Sequence, residues 1–72
     1  MSFTRIQKGI LQAMHQINRP ATVNEIADWS EYSWMTVRKH ILILEKRGVL
    51  EHKTKNERKY WRIRYEIFER GK

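Results

Sequence analysis

The side chains equipped for metal or acid–base chemistry are few and dispersed in this sequence. The histidines His15, His40 and His52 include no pair at the i, i+4 spacing that lets two imidazoles on one helix share a zinc ion, and the chain has no cysteine. No metal and no cofactor are expected. Nor does any grouping of Ser, His and acid suggest an activated nucleophile, and no carboxylate pair sits in apolar surroundings. Gly9, Gly48 and Gly71 stand alone, not in a phosphate-cradling loop. No catalytic residue is assigned, and an enzyme is not expected.

What the sequence does concentrate is positive charge. The formal net charge is +7, and residues 38–64 hold ten Lys/Arg against three Glu, whereas the rest of the chain holds five of each sign. One basic surface facing an anionic partner follows from that segregation, the alternative being a charge that merely keeps the chain dispersed.

The elements that must position these cations come from 72 residues. That length fits a single domain (1–72) whose core only narrowly outweighs chain entropy, with no disulfide to help. The longest apolar run, Ile41 to Leu44, falls far short of the ~20 residues that span a bilayer, so no membrane association is expected. With no signal-like start, a cytoplasmic location is expected.

Ile6, Ile10, Leu11, Met14 and Ile17 recur at helical spacing and predict a first helix over 4–17, with Thr4 and Gln7 as a capping box. Gly9 inside it either permits a close approach by a neighbour or is simply tolerated, the second being favoured. Pro20 ends this segment. Thr22 and Glu25 form a second capping box for a helix over 23–29, and Ser33 caps a third over 34–47, closed by Gly48. Beyond it, short extended runs flank the polar turn Lys55-Asn56-Glu57-Arg58 and predict a β-hairpin over 49–65, followed by a tail over 66–72. Trp29 and Trp61 read as core anchors.

Three helices followed by a two-stranded hairpin is an α+β order, that of a winged helix-turn-helix. The stretch Thr36-Val37-Arg38-Lys39-His40-Ile41, then Leu44-Glu45-Lys46-Arg47-Gly48-Val49-Leu50, resembles the recognition helix and wing entry of such domains. Over about residues 4–63 the chain is similar to MarR-like and ArsR-like transcription regulators of bacteria and archaea, or of viruses. The resemblance implies a sequence-specific binder of double-stranded DNA, acting as a repressor, with its third helix in the major groove and its wing on the adjacent backbone or minor groove. The chain departs from those families in lacking the long dimerisation helices of the first and the metal-ligating cysteines of the second.

Physical chemistry supports the same partner, since a helix fits the major groove and its N-terminal side chains reach base edges. Here those are Ser33, Trp34, Met35, Thr36, Arg38 and Lys39. Arg38 has the fork that matches the O6 and N7 acceptors of guanine; the alternative is a solvated arginine or an ion pair with an acid of the second helix. Trp34 and Met35 either press on thymine methyls or cover the junction with the second helix. Lys53, Lys55, Arg58 and Lys59 suit phosphate contacts, or else form an ordinary solvated turn. Arg62 and Arg64 either extend the basic strip or flank the sheet.

Leu42 and Ile43 are apolar where polar residues are usual. With Ile67 and Phe68 they could form a homodimer seam, or the tail could fold back over them. Competing with a specific regulator are a non-specific architectural DNA binder and a protein-interaction module that uses Leu42, Ile43 and the tail. A Z-DNA-type reading is weak, because Arg38 and Leu42 stand where that type has asparagine and tyrosine, and RNA binding lacks an aromatic platform apart from Tyr60.

Overall fold

The computed structural model describes residues 2–64. In chain order it contains α1 (Arg5–Ile17), α2 (Val23–Ser30), α3 (Trp34–Lys46), β1 (Leu50–Lys55) and β2 (Arg58–Ile63). This is the α+β winged helix-turn-helix layout. Tyr65 and the tail, with Ile67 and Phe68, lie outside the described residues.

Each helix begins where the sequence supplies a side-chain acceptor. Thr4 Oγ1 accepts from the Gln7 N–H at 3.1 Å while Gln7 Oε1 accepts from the Thr4 N–H at 3.1 Å. Thr22 and Glu25 repeat the arrangement on α2, and Ser33 Oγ accepts from the Thr36 N–H at 3.2 Å on α3. These contacts satisfy amide donors that have no partner within the helix. Each exit is equally local: Asn18 and Glu31 adopt positive φ at the ends of α1 and α2. Gly48 does so after α3, with φ 78°, and its N–H and that of Val49 reach back to Glu45 and Leu44. α3 ends at Lys46, one residue earlier than expected, with Arg47 as its cap.

Ile10, Met14, Ile26, Val37, Ile41 and Leu44 bury the inward helical faces together with Val49, Leu50, Trp61 and Ile63 of the hairpin. The strands pair antiparallel from Leu50↔Ile63 to Lys55↔Arg58, leaving a two-residue turn, Asn56-Glu57, in place of the four-residue turn expected. Both turn residues have positive φ, as a type I′ connection requires.

One piece of the sheet was not foreseen. Ala21, between Pro20 and α2, exchanges two backbone hydrogen bonds with Trp61, at 2.9 and 2.8 Å, so the α1–α2 linker forms a third edge on the hairpin. The base of the wing is thereby fastened to the helical body from both sides.

Two expectations are overturned. Trp29 is 57% exposed and is no core anchor. Ile26, with Val23 and Ala27, fills the inward face of this two-turn helix, and at 100° per residue Trp29 falls well off that face. Gly9 is not merely tolerated. A Cβ there would sit 2.9 Å from the Tyr32 ring, so the absent side chain is what lets the α2–α3 turn pack against α1.

Candidate nucleic-acid interface

α3 owes its orientation to Val37, Ile41 and Leu44, all fully buried. Helical spacing then places Met35, Lys39, Leu42 and Lys46 on one stripe directly opposite, with Arg38 on one flank and Thr36 and Ile43 on the other. The first turn carries the most exposed apolar side chains of this helix: Met35 is 77% exposed and Trp34 47%. Trp34, about half covered, borders a groove with Thr22, Val23 and Asn24 at the start of α2, whereas Met35 stands open.

Arg38 makes no ion pair with an acid of α2. Its guanidinium lies over the Trp34 ring, 5.9 Å from the centroid, a cation–π contact one turn along the helix. The ring is a flat platform that restricts where the guanidinium can go. Ser33 and Thr36 are partly committed elsewhere, because the Ser33 hydroxyl donates to Thr36 Oγ1 at 2.8 Å while accepting from the Thr36 N–H.

Strand alternation splits the wing cations. Lys53, Lys55 and Arg58 lie on one face of the hairpin, and Lys59 lies on the other with Trp61. The two sets meet only at the tip. An open groove of about 410 Å³ runs between the start of α2, α3 and β2, and it brings Arg38 together with Arg58 and Lys59 beside Asn24 and Leu42. A second recess shares Trp34 and Arg38 with the first and is bounded by Met35, Thr36 and Lys39. Lys53 and Lys55 open instead onto a concavity with Pro20 and Tyr60.

The distribution of partners is uneven among the described residues. Arg19 pairs with Glu25, Arg62 pairs with Glu51, and Arg64 lies 3.6 Å from the same Glu51 carboxylate. Arg62 and Arg64 thus share one carboxylate at the base of the sheet. Arg47 donates to the Ser2 carbonyl at 3.0 Å and covers the Phe3 ring. Arg38, Lys39, Lys53, Lys55, Arg58 and Lys59 have no carboxylate within 4.0 Å among the described residues, and the same holds for Arg5 and Lys8 on α1 and for Lys46 and Arg47 at the end of α3. His52 Nδ1 lies 2.5 Å from Glu45 Oε2 and its ring packs on Trp61, which ties β1 to α3.

Gln7, almost fully buried, links α1 to α3. Its Oε1 is held by the Thr4 N–H, so its Nε2 is directed at His40 Nδ1, 3.3 Å away. His40 is thereby occupied with packing. No group of three or more His, Cys, Asp or Glu side chains that could hold a metal occurs among the described residues, and no described helix is long and apolar enough to cross a membrane.

Sequence reasoning passed over Asn24 and Lys46. Counting seven residues on from Lys39 would have placed Lys46 on the outward stripe, but Asn24 enters only because α2 and the wing enclose one groove.

No family model matches the chain, and no curated protein matches it significantly. A crystal structure of a protein from the thermoacidophilic archaeon Sulfolobus tokodaii is similar to it, with a TM-score of 0.79 and 26% identity over 94% of this chain and 68% of the other.

Proposed function

We propose that this domain binds double-stranded DNA with sequence selectivity and serves as a transcription regulator. The supporting observation is where exposed cations without carboxylates cluster: Arg38 and Lys39 on α3 and Lys53, Lys55, Arg58 and Lys59 at the hairpin tip, with Arg38, Arg58 and Lys59 brought to one groove. Unpaired cations on two protruding elements are ready to replace the counterions of a phosphate backbone.

In this reading α3 enters the major groove. Arg38, steadied by Trp34, addresses guanine, with Thr36 and Lys39 beside it and Ser33 holding the helix start. Arg58 and Lys59 meet phosphate across the groove they share with Arg38, and Lys53 and Lys55 reach backbone from the other face of the wing. The contacts of one such domain cover few base pairs, which favours a homodimer on half-sites about one helical turn apart. Ile43, exposed at 37% on the flank of α3 away from Arg38, is available to it, whereas Leu42 lines the groove shared with Arg38.

Selection from a random duplex pool over a salt series tests this. A linear loss of log affinity with log salt, together with an enriched motif, is the expected result. A steep slope without enrichment would make the domain an architectural binder, and absence of binding at low salt would leave a protein-interaction module.

A further inference from the structure

Met35 has no structural task in this fold. It is the most exposed of the large apolar residues described, on the first turn of a helix whose core contacts are made by Val37, Ile41 and Leu44. Its neighbours in space are Lys39, one turn on along the same stripe, and the Trp34–Arg38 stack, with which it bounds one recess.

That setting restricts what Met35 can meet. A second copy of this chain would bring its own unpaired cations against Arg38 and Lys39, so a self-association seam is disfavoured there. A polyanion is favoured. The apolar group that a duplex presents in its major groove is the 5-methyl of thymine. A thioether side chain with free rotation is well suited to cover a methyl group.

We infer that Met35 reads a thymine methyl close to the base pair addressed by Arg38, making the two a specificity-determining pair. The inference rests on the DNA-binding reading above. Residues three apart on a helix have Cβ atoms about 5–6 Å apart. That separation lies between one and two base-pair steps of about 3.4 Å, so the enriched motif contains a thymine one or two positions from a guanine.

The test uses the whole chain and the motif enriched from the random pool, synthesised with thymine or with uracil at that single position. Wild type is expected to hold the thymine duplex about fourfold more tightly, the value of one buried methyl. In Met35→Ala and in Met35→Gln, which keeps the length but not the apolar tip, the ratio falls to about one while both variants melt as wild type does. A wild type indifferent to the methyl, or a ratio that survives both substitutions, overturns the inference and leaves DNA binding standing. Failure of wild type to bind any duplex overturns the functional reading and this inference with it.

Discussion

The two ends of the hairpin are built from the same two strands yet obey different rules. At the base, Leu50, Trp61 and Ile63 are buried, Ala21 pairs with Trp61, and Glu51 holds Arg62 and Arg64. At the tip, residues 53–59 are all exposed and their four cations lack carboxylate partners among the described residues. The base is organised to fold, and the tip, on the proposed reading, is free to meet phosphate. α3 repeats the division around its axis, with a buried aliphatic face and an outward stripe of Met35, Lys39, Leu42 and Lys46. A small domain can keep folding and recognition nearly independent by assigning them to different ends of one hairpin and different faces of one helix.

The largest effect belongs to the base. Trp61→Ala removes a buried ring that packs on His52 and within the helical core, and it should cost about 3–5 kcal/mol. Against the ~5 kcal/mol at the lower end of domain stabilities, that leaves at most about 2 kcal/mol, so the variant melts far below wild type and is up to about half unfolded at room temperature. Circular dichroism melting checks it. A variant that retained a cooperative transition near the wild-type temperature would break the division between base and tip.

The tip should behave in the opposite way. Lys55→Gln combined with Lys59→Gln removes two unpaired, exposed charges from opposite faces of the hairpin. The melting temperature should not move, whereas the slope of log affinity against log salt should shrink by about 1.8, at ~0.9 per lost phosphate contact. A loss of affinity with an unchanged slope would mean that these lysines act through structure and not through phosphate.

Much of this division was legible beforehand. The caps at Thr4, Thr22 and Ser33, the glycine closure at Gly48 and the inward positions of α3 are local features that spacing reveals. What escaped was non-local or depended on a large side chain being read by type. The Ala21–Trp61 bridge joins residues forty positions apart through a single pairing, which has no periodicity to detect. Tyr32 against Gly9 is likewise a contact between distant turns. Trp29 was misjudged because a large aromatic suggests burial, although its angular position on α2 is about 110° from the centre of the face formed by Val23, Ile26 and Ala27. In the site, the sequence located the cations on α3 and the hairpin but not that alternation divides those of the wing between two faces.

A gain in stability should also be available at the tip without touching the base. Asn56 and Glu57 both adopt positive φ, and a glutamate in the left-handed region is strained by its Cβ. Glu57→Gly supplies the Asn-Gly pair that type I′ turns favour and should stabilise by up to about 1 kcal/mol, raising the melting temperature by a few degrees. The effect stays below the full strain because glycine also loses more freedom on folding. If the melting temperature fell, the tip would be contributing more to folding than the contrast allows.

The smallest effect separates the two ends by pH. Glu25, beside the linker that anchors the base, is held below the ordinary glutamate range, chiefly by the hydrogen bond from the Arg19 guanidinium and then by the Thr22 N–H. The folded chain binds that proton less readily than the unfolded chain does, so the contribution is fully present above the ordinary glutamate value and disappears as pH falls through the depressed one. Glu25→Gln keeps an acceptor for the Thr22 N–H but discards the charge that Arg19 holds. It should melt slightly below wild type near neutral pH, and the difference should shrink as pH falls through the depressed value and the wild-type carboxyl itself becomes protonated. Because both partners are largely in water, moderate salt should shrink the difference as well. A gap that persisted at low pH would assign the contribution of Glu25 to packing, and the pairing of cations at the base would then be incidental to its stability.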